Sequence, residues 1–337
     1  MGNIKFYKVW EAPFKVYGLY GDIEKNGFRR MPEEVAKSTS NEVHSLYIHT
    51  SGGRVRFRTD SKTVVIKING PSSTFPTWHL TAMMRNGADL YIDYPYGSVY
   101  TGFVKPQNNS GDCTEVINMP GGEHDVTVYL PLYGSIDSFE IGLCEGASLK
   151  KHSSPYQNEL PILFYGSSIT QGACASRPGR AYEALLSRKY NVDYTCLGFS
   201  GGCKAEDAIV EYMSTLPMCA FVSDYDYNAS DSEYLKATHH KLYLKIREKN
   251  PDIPYYMITR PNFYFIEDHI IRRDVIMQSY LDARAAGDKN VYFIDGSAFF
   301  NGESVGDLTL DLTHPNDQGF SKMADYIGDV IAKTMKF

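Results

Sequence analysis

The feature that most limits what this chain can fold into is a change of hydrophobic period near residue 150. Ahead of it, "RVRFRTD" (54–60) alternates strictly, with Val55 and Phe57 on one face and arginines on the other. "TVVIKI" (63–68), "ADLYIDY" (88–94), "HDVTVYLPLY" (124–133) and "SFEIGL" (138–143) follow, rich in β-branched and aromatic residues and separated by turn formers such as "SGG" and "PGGEH". No amphipathic stretch of three helical turns interrupts them. Residues 1–150 are therefore expected to form an antiparallel sandwich of jelly-roll type. "GASLKKHSSPYQNE" (146–159) is polar and lacks a period, so it reads as a linker.

Beyond it the pattern changes. Apolar runs "PILFY" (161–165), "DYTCLG" (193–198), "CAFVSD" (219–224), "PYYMIT" (254–259) and "NVYFID" (290–295) alternate with helical stretches near 181–190, 204–215, 232–249, 266–286 and 316–334. Strands buried on both faces and joined through helices imply a parallel sheet, so residues 151–337 are expected to form an α/β domain. Such sheets bind ligands at the carboxyl ends of their strands. A chain of 337 residues is also longer than one hydrophobic core usually organises, which fits two domains.

Bulk properties narrow the function. The net charge is −6 and no basic block is present, which argues against a nucleic-acid partner. The leading "MGNIKFYKVWEAPFKVYG" lacks the unbroken apolar run of a signal peptide, and no segment approaches the roughly 20 apolar residues of a membrane span. The six cysteines are scattered without a CxxC pair, so they are expected to be reduced thiols in a cytoplasmic protein, with no metal site built on them.

The first strand of the second half empties into "GSSITQG" (166–172), two adjacent hydroxyls at the carboxyl end of a core strand. A serine becomes a useful nucleophile when a base takes its proton, and near neutral pH that base is usually a histidine held by a carboxylate. "LTLDLTHPNDQG" (308–319) places Asp311 three residues before His314, just ahead of the last helix. Two further strand ends offer donors for an oxyanion: "CLGFSGGCK" (196–204), with Gly198, Gly201 and Gly202, and "SDYDYNAS" (223–230), with Asn228. Each alone is equally a turn; together they fall on one rim of the sheet. The residues themselves do not choose between Ser167 and Ser168.

In this order the four blocks resemble those of the SGNH (GDSL-type) hydrolases, whose catalytic domain is a flavodoxin-like α/β fold. The resemblance implies Ser168 as nucleophile from "YGSSITQG", and an oxyanion hole made by the backbone N–H groups of Ser168 and Gly201 with the side chain of Asn228. It implies Asp311 and His314 as the other catalytic residues. Two positions depart from the family pattern: Ser167 stands where an Asp is usual, and Asp226 stands two residues before Asn228 where a Gly is usual. In the first half, "RMPEEVA", "SGGRVRFRTDS" and "LPLYGSIDSFEIGL" are similar to the β-sandwich domain that precedes the catalytic domain in a carbohydrate-esterase-like subset.

The resemblance implies a serine esterase that needs no cofactor and no metal. Its expected substrate is a short, acetyl-type ester of a carbohydrate or similar small polar alcohol. Arg260, after the fourth strand, is a candidate to hold a polar group of the substrate or to brace the rim. Two alternatives use the same residues differently: an acyltransferase, in which an alcohol intercepts the acyl-serine, and a non-catalytic carbohydrate-binding protein relying on Trp10 and Trp78. An α/β-hydrolase is excluded by the missing G-x-S-x-G, and a dinucleotide-binding dehydrogenase by the missing G-x-G-x-x-G.

Overall fold

The computed structural model describes residues 3–70, 78–106, 112–261, 264, 266–300 and 302–336. Its first half holds two antiparallel sheets. One has the strand order Ile4–Lys8, Ser138–Cys144, Thr63–Asn69, Cys113–Asn118. The other runs Leu149–Lys150, Arg54–Thr59, His124–Tyr129, Ala88–Tyr94, Gly97–Val104, with Lys15–Tyr17 added beside Arg54–Thr59. Alternate residues such as Phe57, Ile66, Leu90, Val126 and Phe139 point between the sheets and form one buried cluster.

The second half carries five parallel strands, here β1 (Ile162–Gly166), β2 (Tyr194–Gly198), β3 (Ala220–Asp224), β4 (Tyr255–Ile258) and β5 (Val291–Ile294). They lie in the order β2-β1-β3-β4-β5, the flavodoxin-like arrangement. Every residue of β1 is buried: Ile162 and Phe164 enter the core on one face, Leu163 and Tyr165 the core on the other. Helices Tyr182–Tyr190 and Asp317–Met335 cover the first face; Asp207–Ser214, Ser232–Lys249 and Glu267–Ala285 cover the second. Among the described residues, no helix is long and apolar enough to cross a membrane.

The halves are not joined by a slack tether. Ala36, Val43 and Leu46, from two short helices at Glu33–Thr39 and Asn41–Leu46, belong to one core of the parallel sheet. Leu80, Met84, Tyr129 and Tyr133 belong to the other. The alternating "RVRFRTD" strand does bury Val55 and Phe57, but its opposite face is buried too: Arg54 is 0 % and Arg56 3 % exposed. Arg54 pairs with Asp193 and lies 4.1 Å above the Tyr194 ring, while Arg56 donates to the Ser154 carbonyl. The polar face of a half-exposed strand is thus an interface. Removing one partner of a buried ion pair such as Arg54–Asp193 typically costs about 3–5 kcal/mol. The polar stretch read as a linker is also structured, since Leu149–Lys150 pairs with Arg58 and Thr59 and Asn158 bonds both Leu160 and Asp193.

Candidate active site

β1 ends at Gly166, where an added Cβ would meet Thr170 Oγ1 at 2.0 Å and the Asp224 carbonyl at 2.4 Å, so only glycine lets the chain turn here. The next residue, Ser167, is fully buried, and its hydroxyl accepts from the Ile169 amide at 3.2 Å as N-cap of the single-turn helix Ser168–Gln171. Ser168, at the first helical position, points its Oγ out to His314 Nε2, 2.8 Å away. The two serines are thereby separated in role: one caps, the other meets the imidazole. The Asp usual at position 167 is replaced by a residue able to make the same cap.

The Asp311–His314 spacing works through a tight turn. Asp311 Oδ1 accepts the amides of Thr313 at 3.1 Å and His314 at 2.8 Å, while Oδ2 accepts from His314 Nδ1 at 2.8 Å. Thr309 bridges to Pro315 and closes the loop, and Asn316 caps the following helix by accepting from Gln318 and Gly319. Burial would push the Asp311 carboxyl up, but the His314 amide and imidazole outweigh it and hold it below the ordinary value. It is therefore an anion facing the ring.

The donor side lies at the end of β2. Gly198 packs so closely on the Ser168–Gln171 turn that a Cβ would sit 2.4 Å from the Gln171 amide. In the following turn, Ser200 donates its amide to Gln171 Oε1 at 2.9 Å and Gly202 donates to the Phe199 carbonyl at 2.8 Å. Gly201, between them, adopts φ +72°, a left-handed backbone that favours glycine. Asn228 Oδ1 accepts from the Cys203 amide at 3.3 Å. That contact orients the side chain and leaves its NH₂ as the donating end.

Residues other than the expected catalytic and oxyanion groups hold this turn. Gln171, fully buried, also donates to the Leu132 carbonyl at 3.1 Å. Tyr133 donates to the Ser168 carbonyl at 3.4 Å, and Arg30 donates to the carbonyls of Gly198 and Leu46. All three bring the first half of the chain to the site. Nothing local in the sequence marks them, because each acts through a distant partner.

Arg260 is turned inward. It is 6 % exposed, its Nε lies 3.1 Å from Asp226 Oδ2, and its guanidinium sits 4.2 Å from the Tyr227 ring. Of its two expected roles, this contact set is that of a brace: it supplies the partner for Asp226, the residue in place of the usual glycine, and steadies the loop leading to Asn228. Asp224 and Asp226 are not solvated, being 1 % exposed each. Asp224 accepts from Thr170 Oγ1 at 3.0 Å and from the Tyr182 hydroxyl at 3.5 Å. Burial, reinforced by the Asp226 charge, pushes the Asp224 carboxyl well above its usual range.

This has a pH consequence. A carboxyl raised in the fold stays protonated there while the unfolded chain ionises above about pH 4, so its contribution is complete in acid and is lost as pH rises toward the folded value. Asp224→Asn will therefore melt above wild type, and the gap in Tm measured by calorimetry will widen from pH 5 to pH 8. A gap independent of pH would mean that Asp224 is charged in the fold.

The two tryptophans differ. Trp10 packs beside Phe28, with ring centroids 6.3 Å apart, against the sandwich core. Trp78 is 84 % exposed and leads directly to His79, whose ring stacks on that of His314 at 5.6 Å. Leu310 and Leu312, either side of Asp311, are more than half exposed. A polar cavity of about 500 Å³ at the junction of the halves, lined by residues such as Arg56, Asp93, Tyr96 and Arg188, includes neither Ser168 nor His314. The hydrogen-bonded Ser168, His314 and Asp311 lie instead beyond the carboxyl end of β1.

Residues 159–332 match the GDSL-like lipase/acylhydrolase family, and residues 4–149 match the N-terminal region of SGNH-hydrolase-type esterases. A protein from Bacteroides ovatus, described as a GDSL-like lipase, is 29 % identical with a TM-score of 0.87, over 99 % of this chain and 98 % of its own. Salicylyl-acyltransferase SsfX3 from a tetracycline biosynthetic pathway is 20 % identical with a TM-score of 0.80, over 99 % and 97 %. A family two carbohydrate esterase from Clostridium thermocellum, solved with cellohexaose, is 16 % identical with a TM-score of 0.58, over 85 % and 93 %. At these identities the last two attest the fold. No curated protein sequence matches the chain.

Proposed function

The chain belongs to the GDSL-like lipase/acylhydrolase family and is a serine esterase; from that premise we propose that it hydrolyses short acyl esters, acetyl foremost, of a sugar or similar polar alcohol. The observation that carries the reading is the unbroken relay of Ser168 Oγ, His314 and Asp311, with 2.8 Å at each link. His314 Nε2 takes the proton as Ser168 attacks the ester carbonyl. Asp311, ionised, holds the Nδ1 tautomer and stabilises the imidazolium. The amides of Ser168 and Gly201 and the NH₂ of Asn228 receive the oxyanion, and His314 returns its proton to the departing alcohol. Water, activated by the same imidazole, then frees the acid.

Support for the polar alcohol comes from Trp78, an exposed ring next to His79, which stacks on His314; it offers a stacking face to a sugar. The likeness to a carbohydrate esterase solved with cellohexaose points the same way. The likeness to an acyltransferase keeps a second fate of the acyl-serine in view, transfer to an alcohol. One experiment addresses both: kcat/KM for 4-nitrophenyl esters from acetate to octanoate and for an acetylated monosaccharide, with products analysed with and without an added sugar alcohol. Acetate is expected to be the best aryl ester, with free acid as the main product. Rates climbing steadily with chain length would overturn the acetyl preference, and dominant acyl transfer would overturn hydrolysis.

A further inference from the structure

The six cysteines are scattered in sequence, yet folding brings one of them, Cys174, beside Asp311 and His314. His79, Cys174, Asp311 and His314 each offer a ligand atom, and all four atoms lie within 4.8 Å of one another. We propose that this cluster is an inhibitory site for Zn²⁺ or a similarly thiophilic divalent cation, which shuts the esterase by taking its general base; the inhibition rests on the catalytic reading above.

The donor set selects the metal. Two imidazoles, a thiolate and a carboxylate are the mixed nitrogen, sulfur and oxygen ligands that a tetrahedral Zn²⁺ accepts, whereas Mg²⁺ and Ca²⁺ demand oxygen. Two anionic and two neutral ligands also cancel the charge of a divalent ion. Ligand atoms up to 4.8 Å apart need to close by about an ångström to reach the spacing set by zinc bonds of 2.0–2.3 Å.

The geometry is built to present these groups. His79 Nδ1 is buried and has no hydrogen-bond partner among the described residues. An imidazole nitrogen shielded from water without a partner is an unmet demand, which a metal would satisfy. Cys174 is 9 % exposed and is held at φ +71°, a backbone region that non-glycine residues rarely adopt. Among the described residues its thiol makes one weak hydrogen bond, to the His79 carbonyl at 3.7 Å. The four ligands come from three separate segments, at 79, 174 and 311–314, so the site exists only in the folded chain.

Binding and catalysis exclude each other. His314 uses Nδ1 for Asp311 and Nε2 for Ser168. Coordination at Nδ1 breaks the first bond, and coordination at Nε2 breaks the second. The thiol proton of Cys174 leaves to solvent as the metal–sulfur bond forms, with no change of oxidation state. A chelator reverses the step.

The test has two arms. Cobalt(II) added to chelator-treated protein is expected to give a thiolate-to-cobalt charge-transfer band saturating at one equivalent per chain, present in wild type and Ser168→Ala and absent in Cys174→Ala. In the second arm, zinc is titrated against aryl acetate hydrolysis, each variant being normalised to its own zinc-free rate. Wild type is expected to lose activity and regain it with EDTA, and the half-inhibiting concentration to rise at least about tenfold in Cys174→Ala and in His79→Ala. Zinc that leaves activity unchanged, raises it, or inhibits both variants as well as wild type would overturn the proposal. If wild type shows no esterase activity at all, the catalytic reading fails and the cobalt band alone decides the site.

Discussion

Replacing Ser168 by alanine will lower kcat for aryl acetate by about 10⁶-fold, the usual consequence of removing a serine nucleophile, while thermal unfolding stays within a degree or two of wild type. The stability half of that expectation follows from what the side chain touches. Ser168 Oγ bonds His314 Nε2, and the cap of the Ser168–Gln171 turn is made by its neighbour. Ser167→Ala is the matched control: it deletes the bond to the Ile169 amide, worth about 1 kcal/mol as an N-cap, and moves stability more than chemistry. Mass spectrometry of a trapped acyl-enzyme must place the acyl group on Ser168. Full turnover in Ser168→Ala would dismiss the nucleophile assignment together with the mechanism.

The second large effect is expected at Asn228. Losing one oxyanion donor costs about 2.7–4 kcal/mol of transition-state stabilisation, so Asn228→Ala will depress kcat by roughly 10²–10³-fold and leave KM little changed. Alanine also removes the acceptor for the Cys203 amide, at 3.3 Å, so position and donation fall together in that variant. Asn228→Asp separates them. The carboxylate still accepts from Cys203 but has no N–H to give, and its charge opposes the oxyanion. Its kcat will therefore fall at least as far as that of alanine, measured in the same steady-state assay. Recovery of turnover by aspartate would assign Asn228 a purely positioning role.

How much of this was legible in the residues depends on the distance over which each feature is decided. The five parallel strands are visible because each is an apolar run between helical stretches, and all five lie within a residue or two of where periodicity puts them. The Asp311–His314 turn is visible because its hydrogen bonds close within three residues. The choice between the serines is not, since it turns on which hydroxyl the backbone needs as a cap. Strands at Gly97–Val104 and Cys113–Asn118 escape notice because exposed residues break up their apolar pattern. The helices at Glu33–Thr39 and Asn41–Leu46 have seven and six residues, too short to show a period, and are held by the core they join. Arg54 and Arg56 look like a solvated face until the second half of the chain covers them. Gln171 and Arg30 carry no mark because their partners lie elsewhere in the chain.

The buried seam between the halves limits how such an enzyme can diversify. A new leading half could not be grafted onto the catalytic half by recombination in the 146–159 stretch unless it also carried counterparts of Arg30, Arg54 and Tyr133 for the Gly198, Asp193 and Ser168 positions. Substitutions at exposed positions such as Trp78, Leu310 and Leu312 leave that seam untouched.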